Sequence, residues 1–221
     1  MIQRTIDVNQ DLREERRRAA EAFRERMTRA GTFVVRLLSS PGAGKTTLLQ
    51  KTAARLGERR RVGILVGDVE TERDAERLAP YAPTRQITTG GACHLELPLV
   101  ERALPHLGDE PFEFLFIEDV GNLICPASHD LGEHLRVIVL STTEGDDKPR
   151  KYPKAFRTSR IVVISKTDLL PYVPFSVEAA REDACSVRPD LAFFEVSAVR
   201  DEGIAAWCEY LEAERKRIHL S

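Results

Sequence analysis

No run in this sequence is apolar for long enough to span a bilayer, and no secretory leader is recognisable, so neither a membrane partner nor export is expected. An excess of charge is missing too. The 33 Lys and Arg face 35 Asp and Glu, a formal net charge of -2, which gives no electrostatic reason to propose nucleic acid or an anionic membrane. Cysteines are few, at Cys93, Cys125, Cys185 and Cys208. A reducing cytoplasm is therefore the expected location, where exposed thiols serve metals or catalysis more often than disulfides. No internal repeat or low-complexity stretch divides the chain. What is present is 221 residues at 42% hydrophobic, enough for one large core.

Between Asp11 and Ala30, Leu12, Ala19, Ala22, Phe23 and Met27 recur at spacings that predict an amphipathic helix. We take residues 1–31 as a helical extension and residues 32–221 as the main domain. Beyond it, apolar and β-branched runs at 33–38, 61–66, 84–87, 112–117, 137–141, 160–164 and 191–196 alternate with helical patterns at 46–56, 73–78, 94–104, 176–184 and 204–214. This alternation predicts a three-layer α/β fold with a mostly parallel sheet and helices on both faces. Arg36 is odd for a strand buried on both faces and is expected near an edge or reaching solvent. The Gly145 to Pro153 stretch reads as a mobile segment or a solvated turn, and composition favours the turn.

Ser39-Ser40-Pro41-Gly42-Ala43-Gly44-Lys45-Thr46-Thr47 follows an apolar strand and opens a helix, the context that a phosphate-binding loop requires. Gly42 and Gly44 let successive N–H groups, including that of Ala43, converge on one anion, and Lys45 would bridge the β- and γ-phosphates. Thr46 would offer its hydroxyl to Mg²⁺, and Thr47 continues the binding turn; Ser39 replaces the first glycine of the general pattern. Carboxylates must then lie at neighbouring strand ends. Asp68, Asp74 and Glu118 are the candidates for Mg²⁺, with Asp68 or Asp74 positioning water and Gly121 offering an N–H to the γ-phosphate. Helix caps or surface charges are the plainer readings of these acids.

Ser165-Lys166-Thr167-Asp168 ends another run as a near match to Asn-Lys-X-Asp. Asp168 can accept from guanine N1–H and N2–H₂ together, a pair that adenine lacks, and Lys166 would cover the base with its alkyl stem. Downstream, Ser197-Ala198 resembles the element whose alanine N–H meets guanine O6. In this order the elements imply GTP over ATP.

Cys93-His94 and Cys125 could join on one soft ion, Zn²⁺ or Ni²⁺, with a fourth ligand from water or a second subunit. The alternative is that both cysteines are small buried apolar residues and His94 a helix cap. Cys185 and Cys208 fall in helical stretches and are expected in the core.

Taken together, the runs at 39–49, 67–71, 90–95, 117–127, 130–133, 143–149 and 166–171 resemble the hydrogenase nickel-insertion GTPases, the HypB family, from about Ser39 to the C-terminal helix. The resemblance implies a fold of the dimerising phosphate-loop class, GTP hydrolysis with Mg²⁺, and a nickel or zinc site at a homodimer interface carried by Cys93, His94 and Cys125. It also implies hydrogenase maturation proteins as partners. Ser165 and Asp119 stand where the family more often has asparagine. Some members carry an N-terminal Cys-rich or His-rich stretch that stores nickel; no such stretch precedes Ser39, so nickel is expected to pass through the interface site. A GTPase serving urease, a nickel store whose nucleotide only controls assembly, and a small-molecule kinase are the competing readings.

Overall fold

The structure, a computed structural model, describes residues 8–68 and 73–219. Residues 1–7 of the expected extension and Val69 to Thr71 of the 67–71 run lie outside the described residues. In chain order the elements are α1 (Val8–Arg29), β1 (Phe33–Ser39), α2 (Lys45–Gly57), β2 (Val62–Asp68), α3 (Arg73–Leu78), β3 (Thr84–Thr88), α4 (Leu97–Ala103) and β4 (Phe114–Glu118). They continue through β5 (Leu135–Ser141), α5 (Lys148–Lys151), α6 (Pro153–Thr158), β6 (Ile161–Ser165), α7 (Val177–Val187), β7 (Ala192–Val196) and α8 (Ile204–His219).

The strands form one seven-stranded sheet in the order β3-β2-β4-β1-β5-β6-β7, and every pair in it is parallel. Parallel strands covered on both faces need continuous apolar runs, and β1, β4, β5 and β6 are buried along their full length. Side chains alternate between the faces. Phe33, Val35 and Leu37 join Leu48, Leu49 and Ala53 of α2 and Trp207 and Leu211 of α8 in one core cluster. On the other face Val34 meets Ala20, Phe23 and Met27 of α1 and Val100 of α4, while Leu38 meets Ala155 and Phe156 of α6 and Ala184 of α7. The N-terminal helix is thus packed on the sheet.

Arg36 corrects the sequence expectation: it sits on the central strand, fully buried, between those two apolar clusters. Its charge is tolerated because it is paired and hydrogen-bonded on all sides. Nε donates to Asp119 Oδ2 at 2.7 Å, Nη2 bonds the same oxygen, Nη1 reaches the His129 carbonyl, and Glu133 Oε1 lies 3.6 Å from Nη1. The Gly145 to Pro153 stretch is likewise not just a turn, because Lys148–Lys151 closes a short helix with Pro149 buried. Of the two cysteines expected in the core, Cys208 is buried and Cys185 is half-buried.

β1 lies between β4 and β5, so the sheet changes direction of winding at its carboxyl end. Open α/β sheets bind ligands in the crevice at such a point.

Candidate nucleotide and metal site

The turn after β1 is set by Gly42 (φ 73°) and Gly44 (φ 92°), both in the left-handed region that glycine tolerates. Helix α2 then begins with no side-chain cap at Gly44, which leaves its first N–H groups available to an anion. Lys45 is buried and its Nζ donates to Ser39 Oγ at 2.8 Å, so the serine in the first glycine's place holds the loop's cation. A second cation, which sequence reasoning missed, is Lys148, whose Nζ donates to Ser40 Oγ at 3.1 Å and pairs with Glu144 at 3.2 Å. Its only signal was its place in the 143–149 run.

Thr46 Oγ1 donates to Glu118 Oε1 at 2.8 Å. The other carboxylate oxygen, Glu118 Oε2, is buried and makes no hydrogen bond among the described residues. Burial pushes this carboxyl up to about 7, with the charges of Asp74 and Asp68 adding to it and Lys45 and Thr46 opposing. An orphaned carboxylate oxygen beside a threonine hydroxyl and two further acids is a donor set suited to a hard divalent cation, so Mg²⁺ fits these residues. Asp74 is half-exposed and lies 3.5 Å from Arg77 Nη1. Gly121 lies so close to the phosphate loop that a Cβ there would stand 3.0 Å from Pro41 Cα.

The Ser165–Asp168 loop is tied to the phosphate loop. Ser165 Oγ donates to the Ala43 carbonyl at 2.7 Å, and Lys166 (φ 59°) reaches the Gly42 carbonyl with Nζ at 2.8 Å. Asp168 Oδ1 accepts from Ser197 Oγ at 2.6 Å, which orients the carboxylate beside the residue that precedes Ala198. Thr47 is exposed on the first turn of α2.

Cys93, His94 and Cys125 come together with ligand atoms all within 4.8 Å of one another. Cys93 is exposed and Cys125 half-buried, so neither is the buried apolar residue of the alternative reading. The neighbouring Cys125 sulfur pushes the Cys93 thiol up. Asn122 donates from Nδ2 to the Cys93 carbonyl at 3.2 Å and accepts from Ile124 N at 2.9 Å, holding the two segments against each other. Asp119 does the same from beneath: Oδ1 accepts from Leu95 N at 3.2 Å and Val120 N at 2.8 Å, while Oδ2 takes Arg36. His129, also missed, stacks on His94 with centroids 3.9 Å apart. Burial lowers its pKa, against the Cys125 carbonyl, which raises it.

A parallel sheet with an uncapped glycine turn at the end of its central strand, a carboxylate beside the turn's threonine and a second loop that holds Asp168 against Ser197 defines a phosphate-loop nucleotide-binding protein. The family described as "CobW/HypB/UreG, nucleotide-binding domain" matches residues 33–195. Hydrogenase maturation factor HypB of Azotobacter vinelandii is 44% identical over 213 residues, 96% of this chain and 70% of that protein. Hydrogenase/urease maturation factor HypB of Helicobacter hepaticus is 41% identical over 207 residues, 91% of this chain and 85% of that protein. Among solved structures, HypB from Helicobacter pylori in complex with nickel superposes with a TM-score of 0.87 at 36% identity, covering 93% of this chain and 97% of that one. The chain belongs to the HypB family of hydrogenase maturation factors.

Proposed function

We propose that this chain is a GTP-hydrolysing nickel metallochaperone of [NiFe]-hydrogenase maturation, working in the cytoplasm as a homodimer, with Cys93, His94 and Cys125 holding the cargo ion. One observation carries the coupling of its two activities. The segment after Glu118 is bonded to both sites: Gly121 packs on Pro41 of the phosphate loop, and Asp119 accepts from Leu95 N, one residue past His94. A change at the γ-phosphate that moves this segment therefore moves the metal ligands.

For hydrolysis, the N–H groups from Gly42 to Thr47 bind the phosphate oxygens, and Lys45 and Lys148 place positive charge where negative charge builds on the transferring phosphoryl. Mg²⁺ bound by Thr46 and Glu118, with Asp68 and Asp74 behind them, would supply further screening of the phosphates. Asp68 or Asp74 orients the attacking water, and Gly121 N–H reports the γ-phosphate. Asp168 and Ala198 read the guanine, with Lys166 along the base. On the metal side, three ligands from one chain leave a fourth position, and an exposed Cys93 lets a second copy complete it.

The nickel named for the Helicobacter pylori structure and the soft ligand set support nickel as cargo; zinc fits the same atoms. The relative named for both hydrogenase and urease supports a second reading, delivery to urease. Both are tested by comparing GTP with ATP turnover and by complementing strains that lack hydrogenase or urease maturation. We expect GTP preference, rescue of hydrogenase, and a Lys45→Ala chain that loses about 10²–10³ in turnover and fails to rescue. A Lys45→Ala chain that still delivers nickel would leave the nucleotide as a control of assembly only.

A further inference from the structure

Two ligand sets meet at one imidazole. His94 Nδ1 lies 3.8 Å from Cys93 Sγ, on the side of the thiolate set, while His94 Nε2 lies 3.7 Å from Glu96 Oε1. Nε2 is buried and makes no hydrogen bond among the described residues. His94, Glu96 and His129 also bring their ligand atoms within 4.8 Å of one another.

The tautomer of His129 is decided by its partner. Its Nδ1 stands 3.0 Å from the Cys125 carbonyl oxygen, which can only accept, so Nδ1 carries the proton and Nε2 keeps its lone pair. A backbone carbonyl holding one ring nitrogen while the other binds an ion is the usual arrangement of a ligating histidine. The imidazole stacks on His94 and lines a cavity of about 530 Å³ with Arg24, Asp130 and Arg136, so solvent reaches it; ring lone pairs lie in the ring plane, so one ring turns out of the stack when both imidazoles face one ion. Ligand atoms around a zinc-sized ion stand about 3.3 Å apart, so binding would draw the present atoms in by up to about 1.5 Å.

We propose that His94, Glu96 and His129 form a second divalent transition-metal position, of nitrogen and oxygen ligands, adjoining the thiolate position and sharing His94 with it. This rests on the reading of Cys93, His94 and Cys125 as a metal site. A neutral imidazole binds one ion through one nitrogen, so the two sets compete for His94. The ion then has a thiolate-rich and a thiolate-free place within one loop pair, the second being the harder of the two and the readier to release a soft ion.

The test uses Co²⁺ alone as probe on the full chain, reading stoichiometry by equilibrium dialysis and ligand type by absorption. In the unmodified chain, thiolate-to-cobalt charge transfer reports the thiolate set, and its absence would overturn the underlying metal reading. In a Cys93→Ser/Cys125→Ser chain the charge transfer disappears, and we expect Co²⁺ to remain bound. Adding His129→Phe, which keeps the stack, or His129→Gln, which keeps the polar contact to Cys125, then weakens the remaining binding by about tenfold or more. A thermal melt of each variant verifies folding. Loss of all Co²⁺ from the folded double variant, or equal binding with and without His129, overturns the second position.

Discussion

Asp168, the carboxylate proposed to read the base, shows how a residue can be pinned by neighbours distant in sequence. Asp168 is held by Ser197, 29 positions on, and Ser165, in asparagine's place, braces the phosphate loop through the Ala43 carbonyl. Serine can do this because the bracing needs one donor only. The proposed guanine contact needs two acceptors, so Asp168→Asn is expected to weaken GTP binding by roughly tenfold to a hundredfold, the loss of a charge-assisted hydrogen bond. Xanthosine triphosphate, whose 2-oxo group accepts where the 2-amino group of guanine donates, should recover part of that loss. Competition binding with the three nucleotides GTP, ATP and xanthosine triphosphate measures it; unchanged GTP affinity would remove Asp168 from the base site.

At the scale of elements, α1 is clamped to the β4–β5 connection. Arg24 donates both to Asp130, at 2.9 Å to each oxygen, and to the Glu133 carbonyl, and Gly132 (φ 75°) sits under the helix. A Cβ on Gly132 would stand 2.5 Å from the Ala20 carbonyl oxygen and 2.8 Å from Phe23 Cδ1. Gly132→Ala therefore combines a left-handed backbone penalty with overpacking, and urea unfolding should show a loss of about 2–4 kcal/mol. The same connection carries His129, so α1 holds the segment that presents a proposed ligand. Most strands and long helices were legible because their apolar periods are unbroken. The short α6 (Pro153–Thr158) was not, since it opens on Pro153, the end of a run whose Gly, Asp and Pro residues read as a turn. Among site residues, the phosphate loop and Cys93-His94 were readable as contiguous motifs. His129, Lys148 and the Arg36–Asp119 pair were not, because what defines each is a partner at least four residues away, on another turn or strand.

Across the whole molecule, the apolar face that holds α1, α4, α6 and α7 is split by a buried charged seam of Arg36, Asp119, Glu133 and Arg136. Burial pushes the Glu133 carboxyl up, but the Arg36 and Arg136 charges and backbone N–H donors outweigh it and hold it at about 2. A folded value below the ordinary 4.5 means that this stabilisation is complete above pH 4.5 and is lost as pH falls from there toward 2. Melting temperatures from pH 6 down to 3 should therefore fall, and Glu133→Gln should flatten that slope while lowering stability by about 3–5 kcal/mol. The seam ends at Asp119 and at the His129 carbonyl, which Arg36 and Arg136 both bond, so the sheet centre, the segment after Glu118 and the loop that bears Cys93 and His94 share one set of hydrogen bonds. Nickel titration of the full chain with Mg²⁺ and either GDP or a non-hydrolysable GTP analogue tests that sharing most directly. The account predicts nickel affinities that differ by about fivefold or more between the two nucleotide states, and equal affinities in both would contradict it.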